Sequence, residues 1–183
     1  MIRENLKDYN STKQSVITIG TFDGVHIGHK KIINQLTSIS SKNNLISILL
    51  SFFPHPKMVL QNDNELKLIN TIQEKEGLLN SLNLDYLIIK EFTKEFSRLS
   101  ALEFVRDILV NKLNAKHIII GYDHHFGRNR TANIEQLKEF GELYDFKVTE
   151  ILAQDIDDIA ISSTKIRKAL INGEITLANK FLG

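Results

Sequence analysis

Val16-Ile-Thr-Ile-Gly-Thr-Phe-Asp-Gly-Val-His-Ile-Gly-His29 begins as an apolar, β-branched run, breaks into a glycine-punctuated turn from Gly20, and leads into a helical pattern. A strand that feeds a helix through a glycine turn presents free backbone N–H groups and the positive end of the helix dipole, which together favour an anion. His26 and His29 lie three residues apart, so both imidazoles can project from the first helical turn toward one ligand if the helix begins near Gly28. The stretch reads as a phosphate-handling site.

Working outward, the same alternation of short β-rich runs and amphipathic helices recurs. Strands are predicted at Val16 to Gly20, Leu45 to Phe52, Tyr86 to Ile89, His117 to Gly121 and Lys147 to Ile151. A helix is predicted over about Gly28 to Ser41, with Ile32, Ile33, Leu36 and Ile39 on one face. Thr71-Ile-Gln-Glu74 and Ser100-Ala-Leu-Glu103 each match a capping box, so further helices follow them. Another begins near Asn133 and carries Ile134, Leu137, Phe140 and Leu143. Strands apolar throughout, such as His117-Ile-Ile-Ile-Gly121, belong in a sheet covered on both faces. Right-handed crossovers then give an α/β, Rossmann-like, doubly wound parallel sheet of about five to six strands. Ligands sit at the carboxyl ends of strands in such folds, where the turn after Ile19 and the loop after Ile120 both fall.

Composition narrows the chemistry. A chain of 183 residues with 42% hydrophobic content suits one domain that buries roughly 70% of its unfolded surface. With 23 basic against 22 acidic residues and a net charge of +1, no bulk field favours a nucleic acid or an anionic membrane. Any phosphate must be held by local groups. Cysteine is absent, which excludes disulfides, thiolate metal sites and cysteine nucleophiles and fits a reducing compartment. Met1 to Gln14 is polar and charged, without the apolar core of a signal peptide, and no run approaches bilayer length. The expected location is cytoplasmic.

Three other segments carry chemistry. In Ile161-Ser-Ser-Thr-Lys-Ile-Arg167, Ser162 or Ser163 is a good N-cap. The hydroxyls of Ser163 and Thr164 at a helix start can hold phosphate oxygens, while Arg167 reaches the same anion one turn later. Asn172 and Gly173 supply a stop, and Glu174 to Leu182 reads as one more short helix. Phe52-Phe-Pro-His-Pro56 contains both prolines of the protein, so the backbone there is stiff and His55 is held in an extended frame. That surface suits either a strand terminator or a flat heteroaromatic ring. Gly121-Tyr-Asp-His-His-Phe-Gly127, followed by Arg128-Asn-Arg130, is a glycine-bounded loop placing Asp123 and Phe126 against an acceptor substrate. Asp123-His124-His125 invites a metal, but the Asp-rich partner motifs that such a site needs are missing except for Asp23, and no metal ligand is assigned. His117, at a strand start, is read as structural.

The ordered set of Gly-x-Phe-Asp-Gly-Val-His-x-Gly-His, Pro-His-Pro, Gly-x-Asp-x-x-Phe-Gly and Ser-Ser-Thr-x-Ile-Arg resembles the FMN adenylyltransferase (FAD synthetase) module of bacterial bifunctional riboflavin kinase/FAD synthetases, over essentially the whole chain. The resemblance implies a nucleotidyltransferase-superfamily fold and the reaction FMN + ATP → FAD + pyrophosphate with Mg²⁺, in flavin cofactor biosynthesis. It implies catalytic roles for His26, His29, Thr164 and Arg167. It places Gly20, Phe22, Asp23, Gly24, Gly28, Ser162 and Ser163 on the ATP side, and Pro54, His55, Pro56, Asp123 and Phe126 on the flavin side. ATP and FMN are then the small-molecule partners, with no nucleic acid and no membrane. An FMN phosphate is already a competent nucleophile, so paired carboxylates or a catalytic triad are not needed, and Mg²⁺ bridges mainly phosphate oxygens and water.

The sequence departs from the pattern at His124, where Phe is common, and at Ala132, where a glycine is common. Bifunctional members continue into a riboflavin kinase barrel, whereas this sequence stops at Phe181-Leu-Gly183. The expectation is a single FMN adenylyltransferase domain, 1–183, that does not phosphorylate riboflavin. Two rivals stay open: a cytidylyltransferase-like enzyme of the same superfamily, and a non-catalytic flavin or nucleotide sensor.

Overall fold

A computed structural model describes residues 1–63, 65–121, 125–128, 131–152 and 161–183. Six parallel strands form one sheet: β1 (Ile2–Asn5), β2 (Ser15–Ile19), β3 (Ile46–Phe53), β4 (Tyr86–Glu91), β5 (Ala115–Gly121) and β6 (Lys147–Ile151), in the order β1-β4-β3-β2-β5-β6. The five predicted strands are all present, Lys147 to Ile151 with the predicted ends and the others within two residues of them. The strand that the sequence reading passed over is β1. It lies at the sheet edge and pairs with β4 alone, Ile2 opposite Tyr86, with three of its four residues exposed. A strand covered on neither face needs no apolar pattern, so Ile-Arg-Glu-Asn carries no periodic signal.

Alternation along the central strands divides their side chains between two cores. Ile17, Ile19, Ile48, Leu50, Ile118 and Ile120 face one way, against Phe104, Val105, Ile108, Leu109, Ile134 and Leu137. Val16, Leu49, Leu87 and Ile119 face the other way, against Ile32, Ile33, Leu36 and Leu79. Each such fully buried aliphatic chain contributes about 2 kcal/mol of transfer free energy. The helices that supply these residues follow from local signals. Helix α1 (Ile27–Asn43) ends at Asn44, in the left-handed conformation that suits asparagine. Helix α2 is a short turn, Pro56–Leu60, with Pro56 at its first position. Helix α3 (Ile72–Asn80) starts on the Thr71–Glu74 capping box.

The second capping box, Ser100 with Glu103, opens α4 (Ala101–Glu103), which continues as a π-helical stretch, Phe104–Val110. There the Asn111 N–H reaches the Arg106 carbonyl at 2.9 Å and the Leu113 N–H the Ile108 carbonyl at 3.0 Å. The wider turn brings Phe104, Val105, Ile108 and Leu109 together onto the sheet. Helix α5 (Ile134–Tyr144) is capped by Asn133 and buries Ile134 and Leu137; Leu143, expected on the same face, is 67% exposed.

Two C-terminal helices, α6 (Ser163–Ile171) and α7 (Ile175–Leu182), form a third, smaller core of Ile166, Ala169, Ala178 and Phe181, with Ile69, Ile161 and Leu182 packed on it. Gly173 joins them at φ +76°, and Asn172 caps α6. From β2 the chain winds outward through β3 to β4, then returns to place β5 on the other side of β2. The crevice beyond the carboxyl ends of β2 and β5 is therefore the topological switch point.

Candidate active site

The chain leaves β2 at this switch point in a strained turn. Phe22, Gly24 and Val25 have φ of 48°, 86° and 40°. A β-branched residue such as Val25 seldom enters that region, so the surroundings must hold the turn in place. Asp23, 2% exposed, does so. Its carboxylate accepts the Ile69 N–H at 3.0 Å, the Asn70 N–H at 3.4 Å and the Arg167 guanidinium at 2.7 Å, while its carbonyl accepts the Ser163 hydroxyl at 2.9 Å. Gly24, at φ +86°, packs against Ile69 and Leu182, so a larger side chain there would be strained. The turn after the first long strand is thus fastened to α6 and α7, near the other end of the chain.

The predicted helix start moves back by one residue. Helix α1 begins at Ile27, and His26 is its N-cap: the His29 N–H donates to His26 Nδ1 at 3.4 Å. An accepting Nδ1 leaves the ring proton of neutral His26 on Nε2. The N–H groups of Ile27 and of buried Gly28, in the first turn, have no carbonyl to meet within the helix. The two imidazoles do not diverge; they stack with centroids 3.6 Å apart, and Phe22 stacks on the far side of His29 at 4.4 Å. Burial pushes the His26 ring down to about 4, against the opposing pull of Asp23. Burial, then His26 and Lys75, hold His29 well below the usual histidine range. Both rings are therefore neutral at pH 7, each with one N–H to donate and no cationic charge.

From the opposite side come the residues of α6. Ser162 is the N-cap, accepting the Lys165 N–H at 3.3 Å, Ser163 bonds to the turn, Thr164 is exposed, and Arg167 faces Asp23. Arg167 Nε, His29 Nδ1 and Asn70 Oδ1 are buried among the described residues without a hydrogen-bond partner. A buried N–H such as that of Arg167 costs about 1–3 kcal/mol when unpaired, so it is available to an acceptor.

Beside the turn lies a cavity of about 400 Å³ whose lining includes Gly20, Thr21, His55, Pro56, Lys57, His125 and Phe126. Its walls are aromatic: Phe52, Phe92, Phe96, Phe104 and Phe126 form a chain of ring contacts 5.6–6.2 Å apart. Half of the ten phenylalanines of the protein are gathered here. Phe126 is anchored by a two-residue bridge to Ala132, with N–H···O distances of 3.1 Å in both directions. Pro54 follows Phe53 at the end of β3, and His55 caps α2 by accepting the Lys57 N–H at 3.1 Å. Burial, reinforced by Arg167, pushes His55 down to about 4. Asp123 and His124 lie outside the described residues. Phe92 and Phe96 were not anticipated from sequence, although their four-residue spacing just beyond β4 was a usable signal. Lys75 was also missed: it is 8% exposed and donates to the Thr21 carbonyl at 2.7 Å. His117, as read, is structural, bonding Thr149 at 2.8 Å across β5 and β6.

The chain is similar to known proteins over nearly its whole length. Over 98% of its length the chain is 46% identical to a bifunctional riboflavin kinase/FMN adenylyltransferase of Buchnera aphidicola (subspecies Schizaphis graminum), of which it covers 57%. It is 36% identical to an FAD synthetase of Listeria monocytogenes, covering 94% of this chain and 70% of that protein. The chain spans little more than half the length of the bifunctional relatives it matches. A crystal structure described as a macrolide-efflux protein from Streptococcus pneumoniae superposes with a TM-score of 0.87 at 30% identity, over 100% of this chain and 59% of the other. Among the described residues no helix is long and apolar enough to cross a membrane. A family profile for FAD synthetase matches residues 8–165, and the chain belongs to the FAD synthetase family.

Proposed function

We propose that the chain is an ATP:FMN adenylyltransferase, moving AMP from ATP to FMN to give FAD and pyrophosphate. The observation that carries this reading is the continuity of two unlike half-sites: Gly20 and Thr21 belong both to the phosphate turn and to the lining of the aromatic cavity. A flat heteroaromatic ring in that cavity would hold its phosphate tail beside the turn. The names and identities of the relatives support the same assignment.

In the reaction, an FMN phosphate oxygen forms a bond to the α-phosphorus of ATP as the bond from that phosphorus to the bridging β-oxygen breaks, and pyrophosphate leaves with the electron pair. The nucleophile is already anionic, so no base is required. The protein's task is to position and to neutralise. His26 and His29 serve as neutral N–H donors to oxygens whose charge grows in the transition state, and the open N–H groups of Ile27 and Gly28 add to them. Thr164 and Arg167 close on the triphosphate from α6. The aromatic walls, Pro54, His55, Pro56 and Asp123 take the flavin.

Mg²⁺ enters as part of the MgATP substrate. The Asp23 carboxylate is occupied by Arg167 and two backbone N–H groups. Phosphate oxygens and water would then be the main partners of the cation, whose charge would offset that of the triphosphate. The test is to incubate the protein with MgATP and FMN and to separate the products, with CTP and riboflavin as replacement substrates. FAD formed from ATP and FMN supports the proposal; a CTP-dependent, flavin-independent transfer contradicts it.

A further inference from the structure

Lys75 is out of place by local rules. It sits in the first turn of α3, at the positive end of the helix dipole, where a cation is disfavoured, and it is 8% exposed. Lysine is seldom buried unless it is paired. Among the described residues no carboxylate forms an ion pair with it, and the nearby Asp23 is committed to Arg167. Asp23 and Arg167 cancel, which leaves one net positive charge beneath the phosphate turn among the described residues.

The ammonium donates to the Thr21 carbonyl at 2.7 Å, so it is tied to the backbone that joins the two half-sites. It borders the same small hollow as Thr21, Asp23 and His55. Its charge also disfavours protonation of His29 and His55. Burial lowers the pKa of Lys75 itself, as expected of a cation short of an anion.

We propose that Lys75 is a positioning residue of the transfer site, holding the phosphate turn through the Thr21 carbonyl and furnishing the uncompensated positive charge that the substrate phosphates neutralise. This role rests on the adenylyltransferase reading. It explains a buried lysine with no ion-pair partner among the described residues: the cost of the buried charge is carried by the free protein and relieved when a phosphate-bearing substrate arrives.

The test measures ATP and adenosine affinity by calorimetry, with thermal unfolding of the free protein, for the full chain and two variants. Lys75→Met removes the charge and the donor; Lys75→Gln removes the charge and keeps a donor. The Thr21 carbonyl retains the Ser51 hydroxyl at 3.3 Å in either case. Both variants are expected to unfold at or above the wild-type temperature, to bind ATP about tenfold or more weakly, and to bind adenosine unchanged. Lys75 is structural, and the inference falls, if both variants fail to fold, if ATP affinity stays within twofold of wild type, or if adenosine affinity drops as far as that of ATP. Wild-type protein that makes no FAD would defeat the adenylyltransferase reading instead, and the binding comparison would still decide the role of Lys75.

Discussion

Arg167 Nη2 donates to Asp23 Oδ2 at 2.7 Å across 144 residues of sequence, with side chains only 13% and 3% exposed. This contact fastens α6 to the turn after β2. Because Asp23 also receives the Ile69 and Asn70 N–H groups, its charge is stabilised from three directions, and removal of Arg167 takes away the cation that is hydrogen-bonded to it.

Arg167→Met should therefore lower the unfolding free energy by about 3 kcal/mol, since breaking a buried pair strands the remaining charge. Asp23→Asn combined with Arg167→Met should recover part of that loss. Urea unfolding of the single and double variants gives the coupling directly, and additive losses would show that the pair is not a unit.

Stability should fall in mild acid. The His26 ring titrates near 4 in the folded protein against about 6.5 when unfolded. Between those values the unfolded chain binds more protons, so the stability present above about pH 6.5 is lost as pH falls toward 4. His26 alone accounts for about 3 kcal/mol of this change. Thermal unfolding followed from pH 7 to 4.5 should show a shallower decline for His26→Gln than for wild type.

His29→Ala removes one donor from the turn and leaves the capping role of His26 Nδ1 with a backbone partner. The expected loss is about 10²- to 10³-fold in kcat with the fold retained, the range for one preorganised donor. Near wild-type turnover in a folded variant would remove His29 from the chemistry.

Phe92→Ala opens the cavity wall where Phe92 meets Phe52 and Phe96. Loss of about 1–1.5 kcal/mol of aromatic contact corresponds to about tenfold weaker FMN binding. ATP affinity should not change. Fluorescence titration with FMN, beside calorimetry with ATP, separates the two, and parallel losses would merge the half-sites.

The residues that were legible in the sequence are those whose environment is set locally. Val16 to Ile19 and His117 to Gly121 announced buried parallel strands, and the capping boxes at Thr71 and Ser100 announced helix starts, because burial on both faces and reciprocal capping each impose a short-range pattern. Ile2 to Asn5 were silent, since an edge strand held mostly by backbone hydrogen bonds constrains few side chains. The π-helical turns after Phe104 arise from packing on the sheet rather than from any local code. At the site, the residue types were readable but their partnerships were not. His26 was visible as a histidine at a helix start, where capping was the alternative to holding phosphate, and Asp23 and Arg167 stood in separate motifs whose pairing depends on the docking of α6. Lys75 looked like an ordinary helix residue until the Thr21 carbonyl came within 2.7 Å of it.

The most direct test of the account follows the label from ATP radiolabelled at the α-phosphate when the protein is mixed with Mg²⁺ and FMN. The label is expected to enter FAD, with one pyrophosphate released per FAD formed and neither product without FMN. Label that never enters a flavin product, or pyrophosphate released at an undiminished rate without FMN, would contradict it.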